Sequence, residues 1–593
     1  MKEMSDQSRV VIASVLSLAV IIVWSLMYRS APPQPGAANS TAPSSATSTS
    51  APAPAGAPAA SETAQPATAG ESAATASAAP SAVPAVSAPA EQTIVVENDL
   101  YRVVFSNRGA VVRSWELKKY TDARKPPHQL DLVYTEAAQE THNWPFSLQL
   151  SDSKAERTVN QALYVTDADK ESSPEISLKA PAEIEFRWSD GHLSVTKRLK
   201  FDDSYIVDVQ TSVEKDGQPV SHRLAWRGGF GDVAAFQAAR AMTAFTDAAG
   251  SIKVTAAGKL GVPDQGSTPA DLPGSFNVVG IEDRYFTAAF MPPAPAAGQA
   301  VPAVMTLSGQ QLVRTAQVDG KAQQQILPEI AAGTTNPGPM DLRVFVGPKD
   351  LDILKAVRPP LDSLVQFGWF GFIAVPLFYM LRWMHTYVPN YGWAIVLLTV
   401  VINTVLYPLK LKSWRSMQKM QKVAPEIRSI QDRYKKYGMR DPRKQEMNKE
   451  VMAVYSREGI NPMGSCLPMV AQMPIWFGLY RMLTVTLELR HAPWIFWIND
   501  LSGPDPYYIL PVTMAILMYV AQKMTPTTAT DPSQQRMMTL MPVLFGGMFV
   551  VFPIASGLVL YMLAQNAIGI AQQWHLNRTS PLKVSAKRAV ATK

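Results

Sequence analysis

The 593-residue sequence contains one cysteine, Cys466. No internal disulfide can form, and a cysteine-rich metal site is excluded. Histidine is sparse too: of seven in the chain, those between 91 and 350, His128, His142, His192 and His222, are scattered, with no His-x-x-x-His or Glu-linked spacing. Neither a G-x-S-x-G nucleophile turn nor a phosphate-binding loop pattern occurs. These absences point away from an enzyme, and no cofactor or metal is expected. Charge is also missing from long stretches of the C-terminal half, and that shortage carries most of the remaining information.

What is present is an apolar content of 47% gathered into blocks, with 55 basic against 48 acidic residues. The first block, Val10–Tyr28, is flanked by Arg9 and Arg29. Its 19 residues nearly span a bilayer. Residues 1–30 therefore read as an N-terminal transmembrane anchor, with a removed signal peptide as the alternative. Between 31 and 90, all but 7 of 60 residues are Ala, Pro, Ser, Thr or Gly. So little side chain cannot offset the entropy of ordering, and a disordered linker is expected.

Residues 91–350 change character. "TIVVENDLYRVVFSNRGAVVRSWEL", "EIEFRWSDGHLSVTKRLKFDDSYIVDVQ" and "MDLRVFV" alternate apolar and polar residues between turn signals. This predicts a large antiparallel β-sandwich, with no strong helical period before about 350.

Beyond 360 the apolar segments come quickly: 365–381, 391–408, 464–484, 507–522, 537–551 and 556–573. Charge fixes which of them cross. Residues 410–458 hold 14 Lys/Arg against 6 Asp/Glu, and such runs stay cytoplasmic. With the N-terminus inside, this holds only if 365–381 does not cross. The segment 351–390 is then an interfacial amphipathic region. The expected membrane protein has six transmembrane helices: the anchor plus a five-helix core at 391–573. Both termini are cytoplasmic, and 31–390 is largely periplasmic. Within the core, 412–458 predicts a cytoplasmic helical hairpin, with Asp441 capping its second arm beside Pro442. The tail, 574–593, is basic, with Arg578, Lys583, Lys587 and Arg588 and no acid. The hairpin and tail suit anionic phospholipid, suit diffuse contact with ribosomal RNA, or simply obey the inside preference. No DNA-binding module is seen.

The core spans carry neutral polar residues, among them Thr399, Asn403, Gln472 and Gln565. Lys410 and Lys412, just past the inner end of 391–408, can snorkel towards water. Asn403 supports two readings. It is either a hydrogen-bonding contact between helices or the lining of a wet groove.

The ordered series "NYGWAIVLLTVVINTVLYPLKLKSWRSMQKMQKVAPEIRSIQDRYK", "NPMGSCLPMVAQMPIWFGLYRML", "ELRHAPWIFWINDLSGPDPYYILP", "QKMTPTTATDPSQQRMMTLMPVLF" and "FPIASGLVLYMLAQN" resembles the YidC/Oxa1/Alb3 insertase family. The resemblance is dense over about 360–575. It implies a membrane insertase and chaperone with a large periplasmic domain, a cytoplasm-open hydrophilic groove and no nucleotide hydrolysis. It also implies nascent membrane proteins, the Sec translocon and, weakly, the ribosome as partners. Thr399 matches a groove threonine, and Tyr561 the first of two adjacent substrate-contacting tyrosines. Two positions depart from the pattern. Asn403 stands where the family pattern has a groove arginine, and Met562 where it has the second tyrosine. The resemblance thus implies a groove without its fixed charge, for which Lys410, Lys412 and Arg415 at the cytoplasmic mouth are candidate replacements. The alternatives are a polytopic transporter or channel, or a structural anchor for a periplasmic binding domain. No inverted repeat or ion site favours a transporter.

Overall fold

The computed structural model describes residues 84–124, 126–168, 175–232, 243–248, 251–261, 270–293, 305–318, 321–334, 338–437, 441–460, 467–525, 540–542, 544–549, 552 and 554–579. The expected anchor at 1–30 and nearly all of the linker lie outside them. The chain divides into two compact units. One contains Glu426–Val454, and the other holds the remaining described residues.

Alternation builds the β domain. In the strand Leu193–Phe201, the residues Leu193, Val195, Lys197, Leu199 and Phe201 are buried, while those between them reach water to varying degrees. Its neighbours Ile206–Lys215 and Ala182–Ser189 pair with it antiparallel, Val209 facing Leu199 and Ile184 facing Leu199 from the other side. These strands belong to a ten-stranded sheet, accompanied by two five-stranded sheets. Trp115, Phe146, Trp226 and Phe230 meet in the core, with successive ring centroids 6.0, 6.3 and 5.3 Å apart.

Two features qualify the expectation of an antiparallel sandwich with no strong helical period. Thr93–Glu97 and Glu175–Lys179 run parallel, Ile94 facing Ile176, so the sheets are mixed. Two short helices also occur, α1 (Thr135–Thr141) and α2 (Ser153–Gln161). Helix α2 buries only Val159 and so offers no apolar stripe to read. Its sequence signal is instead Asp152, whose carboxylate accepts the Lys154 and Ala155 N–H groups.

Lys197 is the exception on the inward face. Its ammonium donates to the carbonyls of Gly109, Ala110 and Phe146 at 2.8, 3.1 and 2.9 Å. All three carbonyls belong to residues with positive φ, 74°, 48° and 65° respectively. Two of those residues pay a steric cost for that conformation.

After the β domain come α3 (Leu351–Ala356) and α4 (Gly371–Tyr387). Helix α4 turns Ala374, Leu377, Phe378, Leu381 and Met384 inward and leaves Phe372, Trp383 and Tyr387 exposed. Arg382 bonds Asp352 at 2.6 Å, and Lys355 bonds the Tyr379 hydroxyl at 2.8 Å, tying α4 to the segment before it. The apolar helix thus runs 371–387, later than the 365–381 read from sequence. Gly368 at φ 71° and the turn before it occupy the first residues of that stretch.

Helix α5 (Tyr391–Arg433) is continuous for 43 residues, through Pro408 and Pro425. The expected span 391–408 and the first arm of the hairpin are therefore one helix. Helix α6 (Arg443–Arg457) forms the second arm, and the Asp441 side chain accepts the Arg443 N–H at its start, as expected. Glu450 accepts hydrogen bonds from Arg433 and Tyr434, at 2.6 and 2.8 Å, holding the arms together.

Helices α7 (Leu467–Val485), α8 (Ile509–Met524) and α9 (Ser556–Thr579) follow, and residues 540–542 and 544–549 are also helical. Among the described residues one helix, α5, is long and apolar enough to cross a membrane. Six spans were expected. Helix α8 has only 16 residues, and α7 includes Pro468, Pro474 and Arg481, which reduce its mean hydropathy. The segment 537–551 is described only in parts.

Candidate functional site

Polar side chains on α5 recur at helical spacing. Thr399 bonds back to the Ile395 carbonyl at 2.7 Å, and the Asn403 amide donates to the Thr399 carbonyl at 2.8 Å. Both side chains are fully buried. Helix α9 presents Gln565 to the same place, its Oε1 accepting the Asn403 Nδ2–H at 2.7 Å.

Lys410 closes the cluster. Its Nζ donates to Asn403 Oδ1 at 2.6 Å and to Gln572 Oε1 at 3.3 Å. Helical side chains lean towards the N-terminus, so a long lysine seven residues on reaches back over two turns. Lys410, which the sequence reading let snorkel towards water, stays partly exposed while its ammonium is tied to Asn403 and Gln572. The pairs Asn403/Lys410 and Gln565/Gln572 have the same seven-residue separation. Helices α5 and α9 therefore run in the same direction along this contact.

Tyr561, one turn before Gln565, is buried and faces Gln472 of α7. The two do not come within hydrogen-bond geometry, and the Tyr561 hydroxyl has no partner among the described residues. A path of polar groups thus runs from Gln472 and Tyr561 through Gln565 and Asn403 to Lys410. Thr399 backs it from within α5.

Other expected site residues stand apart. Met562 follows Tyr561 by one residue, about 100° around the helix, and packs against the apolar core. Lys412 and Arg415 are exposed, on different sides of α5 from Lys410. Arg578 lies exposed at the end of α9, its guanidinium 4.1 Å from the Trp574 ring centroid. Lys583, Lys587 and Arg588 lie outside the described residues. Gln572 was missed from sequence, because only its contact with Lys410 sets it apart from the neighbouring Gln573. Among the described residues no group of three or more His, Cys, Asp or Glu side chains could hold a metal.

Two known families together cover most of the chain and meet within α4. Residues 93–380 match the YidC periplasmic domain, and residues 383–583 match the 60Kd inner membrane protein family. The chain is 33% identical over 506 residues to "Membrane protein insertase YidC" of Geobacter sp. (strain M21), covering 82% of this chain and 85% of that one. The chain belongs to the YidC family of membrane protein insertases. A second relative of the same name, from Geotalea uraniireducens (strain Rf4), is 31% identical over 97% of this chain and all of its own. A third, from Bordetella petrii, is 46% identical over 259 residues, 43% of this chain and 44% of its own.

Membership places the protein at the inner membrane, with a periplasm-facing β domain and at least one spanning helix, α5. Thr399, Asn403 and Lys410 of the cluster lie within that helix.

Proposed function

We propose that the chain inserts nascent membrane proteins by receiving a polar segment of the cargo in a hydrated groove along α5, α7 and α9. Five core spans and the N-terminal anchor would surround that groove, with both termini cytoplasmic. The observation that carries the reading is the Lys410 ammonium seated on the Asn403 amide and on Gln572. A cation within a membrane-length helix is costly in hydrocarbon and is retained where water or cargo meets it.

In this reading Asn403 does not abandon the groove's charge but positions one borrowed from Lys410. Gln565 fixes the Asn403 amide so that its oxygen points at the lysine. Gln472 and Tyr561 continue the polar lining, and Thr399 uses its hydroxyl within its own helix. Cargo with an acidic tail would gain Coulomb attraction on entry, and its apolar segment would partition into lipid at about 0.8 kcal/mol per CH₂ buried. Met562 would offer an adaptable apolar contact on the same helix.

The hairpin 412–458 and the basic tail would meet the ribosome and anionic lipid through diffuse phosphate attraction. Lys412, Arg415, Arg578, Lys583, Lys587 and Arg588 would all contribute. The Sec translocon would share some cargo.

The test uses cells depleted of their own insertase and rescued with wild type, Lys410→Gln or Asn403→Leu. Two single-spanning reporters, one with an acidic extracellular tail and one with a neutral tail, are followed by protease accessibility. Lys410→Gln is expected to impair the acidic reporter and spare the neutral one, while Asn403→Leu impairs both. If both variants insert both reporters like wild type, the cluster is packing and the groove reading fails.

A further inference from the structure

Phe496, in the loop joining α7 to α8, is 86% exposed and has a backbone φ of 50°. A bulky residue in the left-handed region is strained, and such strain persists where surrounding structure enforces it. Here the enforcement is visible. The Trp494 N–H donates to the Ile498 carbonyl at 2.9 Å, and the Ile498 N–H to the Ile495 carbonyl at 3.1 Å, which leaves Phe496 at the apex of a closed loop. Its ring stacks on Trp497, centroids 5.9 Å apart, and the Trp497 indole N–H is itself held by Asp505 at 3.0 Å. The residues from Ala492 to Ile498 carry no charge.

The position of this loop decides what meets the exposed ring. The Asn390 side chain donates to the carbonyls of Pro493 and Trp494, both at 3.2 Å. Trp494 packs edge-on against Trp393, centroids 5.6 Å apart, and lies directly over Gly392. Tyr391 is the first residue of the membrane-length helix. The loop is therefore fastened at the level where the bilayer begins, on the side of the β domain that precedes α5. Trp393, partly exposed in the first turn of α5, continues the same apolar surface.

We propose that the loop from Trp494 to Ile498 docks into the outer leaflet, with the Phe496 ring at the boundary between headgroups and acyl chains. Aromatic rings favour that boundary. An uncharged apex continuous with the start of a membrane helix fits lipid. The same loop carries Arg490, which bonds Asp232 of the β domain at 2.5 Å. Lipid docking through Phe496 would thereby set the height of the β domain above the bilayer. This proposal is independent of the groove.

The single cysteine makes a clean test possible. In the full chain carrying Cys466→Ser, Phe496→Cys is labelled with an environment-sensitive fluorophore and reconstituted into phosphatidylcholine and phosphatidylglycerol vesicles. Asp99→Cys, on the exposed surface of the β domain, is the water-facing reference. Should the first variant fold poorly, Pro493→Cys reports on the same loop. The expected result is loss of most fluorescence at 496 with nitroxide-bearing lipid and little loss with aqueous iodide, the reverse of position 99. Iodide quenching at 496 equal to that at 99 overturns the proposal. Protection from both quenchers overturns it too, because the ring would then be covered by protein.

Discussion

Arg490 and Asp232 stand 258 residues apart and form an ion pair of 2.5 Å in which both side chains are about 95% buried. Arg490 also donates to the Thr121 carbonyl at 2.7 Å, and its guanidinium lies 5.2 Å from the Phe286 ring centroid. One arginine of the α7–α8 loop thus grips the β domain at three points. Removing one member of a buried pair leaves an uncompensated charge, at a cost of about 3–5 kcal/mol. Arg490→Met is expected to lower the Tm of the purified protein clearly. The double variant Arg490→Met/Asp232→Leu should recover much of that loss, and an unchanged Tm in the single variant would refute the grip.

The buried lysine gives a pH signature. Burial pulls the Lys197 pKa from 10.5 down to about 7, while the unfolded chain keeps the ordinary value. Between about pH 7 and 10 the unfolded state binds the extra proton, so this group adds stability as pH rises and loses it as pH falls back through 7. Lys197→Met should abolish that slope in denaturant titrations. It should also destabilise the β domain by about 1–3 kcal/mol or more, because the carbonyls of Gly109, Ala110 and Phe146 lose their donor. A pH slope that survives the substitution would assign it elsewhere.

Interhelical hydrogen bonds in membrane proteins average about 0.6 kcal/mol and reach nearly 2 kcal/mol. Gln572→Leu is therefore expected to cost less than about 1 kcal/mol in stability while lowering insertion of the acidic-tailed reporter part-way towards Lys410→Gln. In the double variant Lys410→Gln/Gln572→Leu the two insertion defects should not add, since Gln572 is argued to act through Lys410. Additive defects would separate the two residues.

Gly392 leaves no room for a side chain. A β-carbon there would run into the Trp494 ring. Gly392→Ala should displace the loop, costing about 1–3 kcal/mol as an overpacked contact. It should also raise iodide quenching of a label at 496. Retained protection would show that the loop is held without Trp494.

The strands were legible because one face of each is buried and period two survives in the sequence. The parallel pairing of Thr93–Glu97 with Glu175–Lys179 was not, since register between distant strands leaves no local mark. The position of α5 was legible from its apolar run. Its continuation to Arg433 was not, because the apolar run gives way to a basic stretch after 408 and that change of composition looked like the end of the helix. At the candidate site, Asn403 drew notice as an amide in an apolar run, whereas Gln572 lay in a polar stretch where nothing distinguished it.

The sequence by itself determined the family, the blocks of β and helical structure, and the shortage of charge in the membrane part. Composition and period suffice for these, because burying apolar surface dictates them locally. Only the tertiary structure decided which polar groups meet. Lys410 turns back onto Asn403 because side chains lean towards the helix N-terminus and Gln572 stands there on a second helix running the same way. Arg490 finds Asp232, and Lys197 finds three carbonyls, because folding brings distant backbone within hydrogen-bond reach where water is excluded.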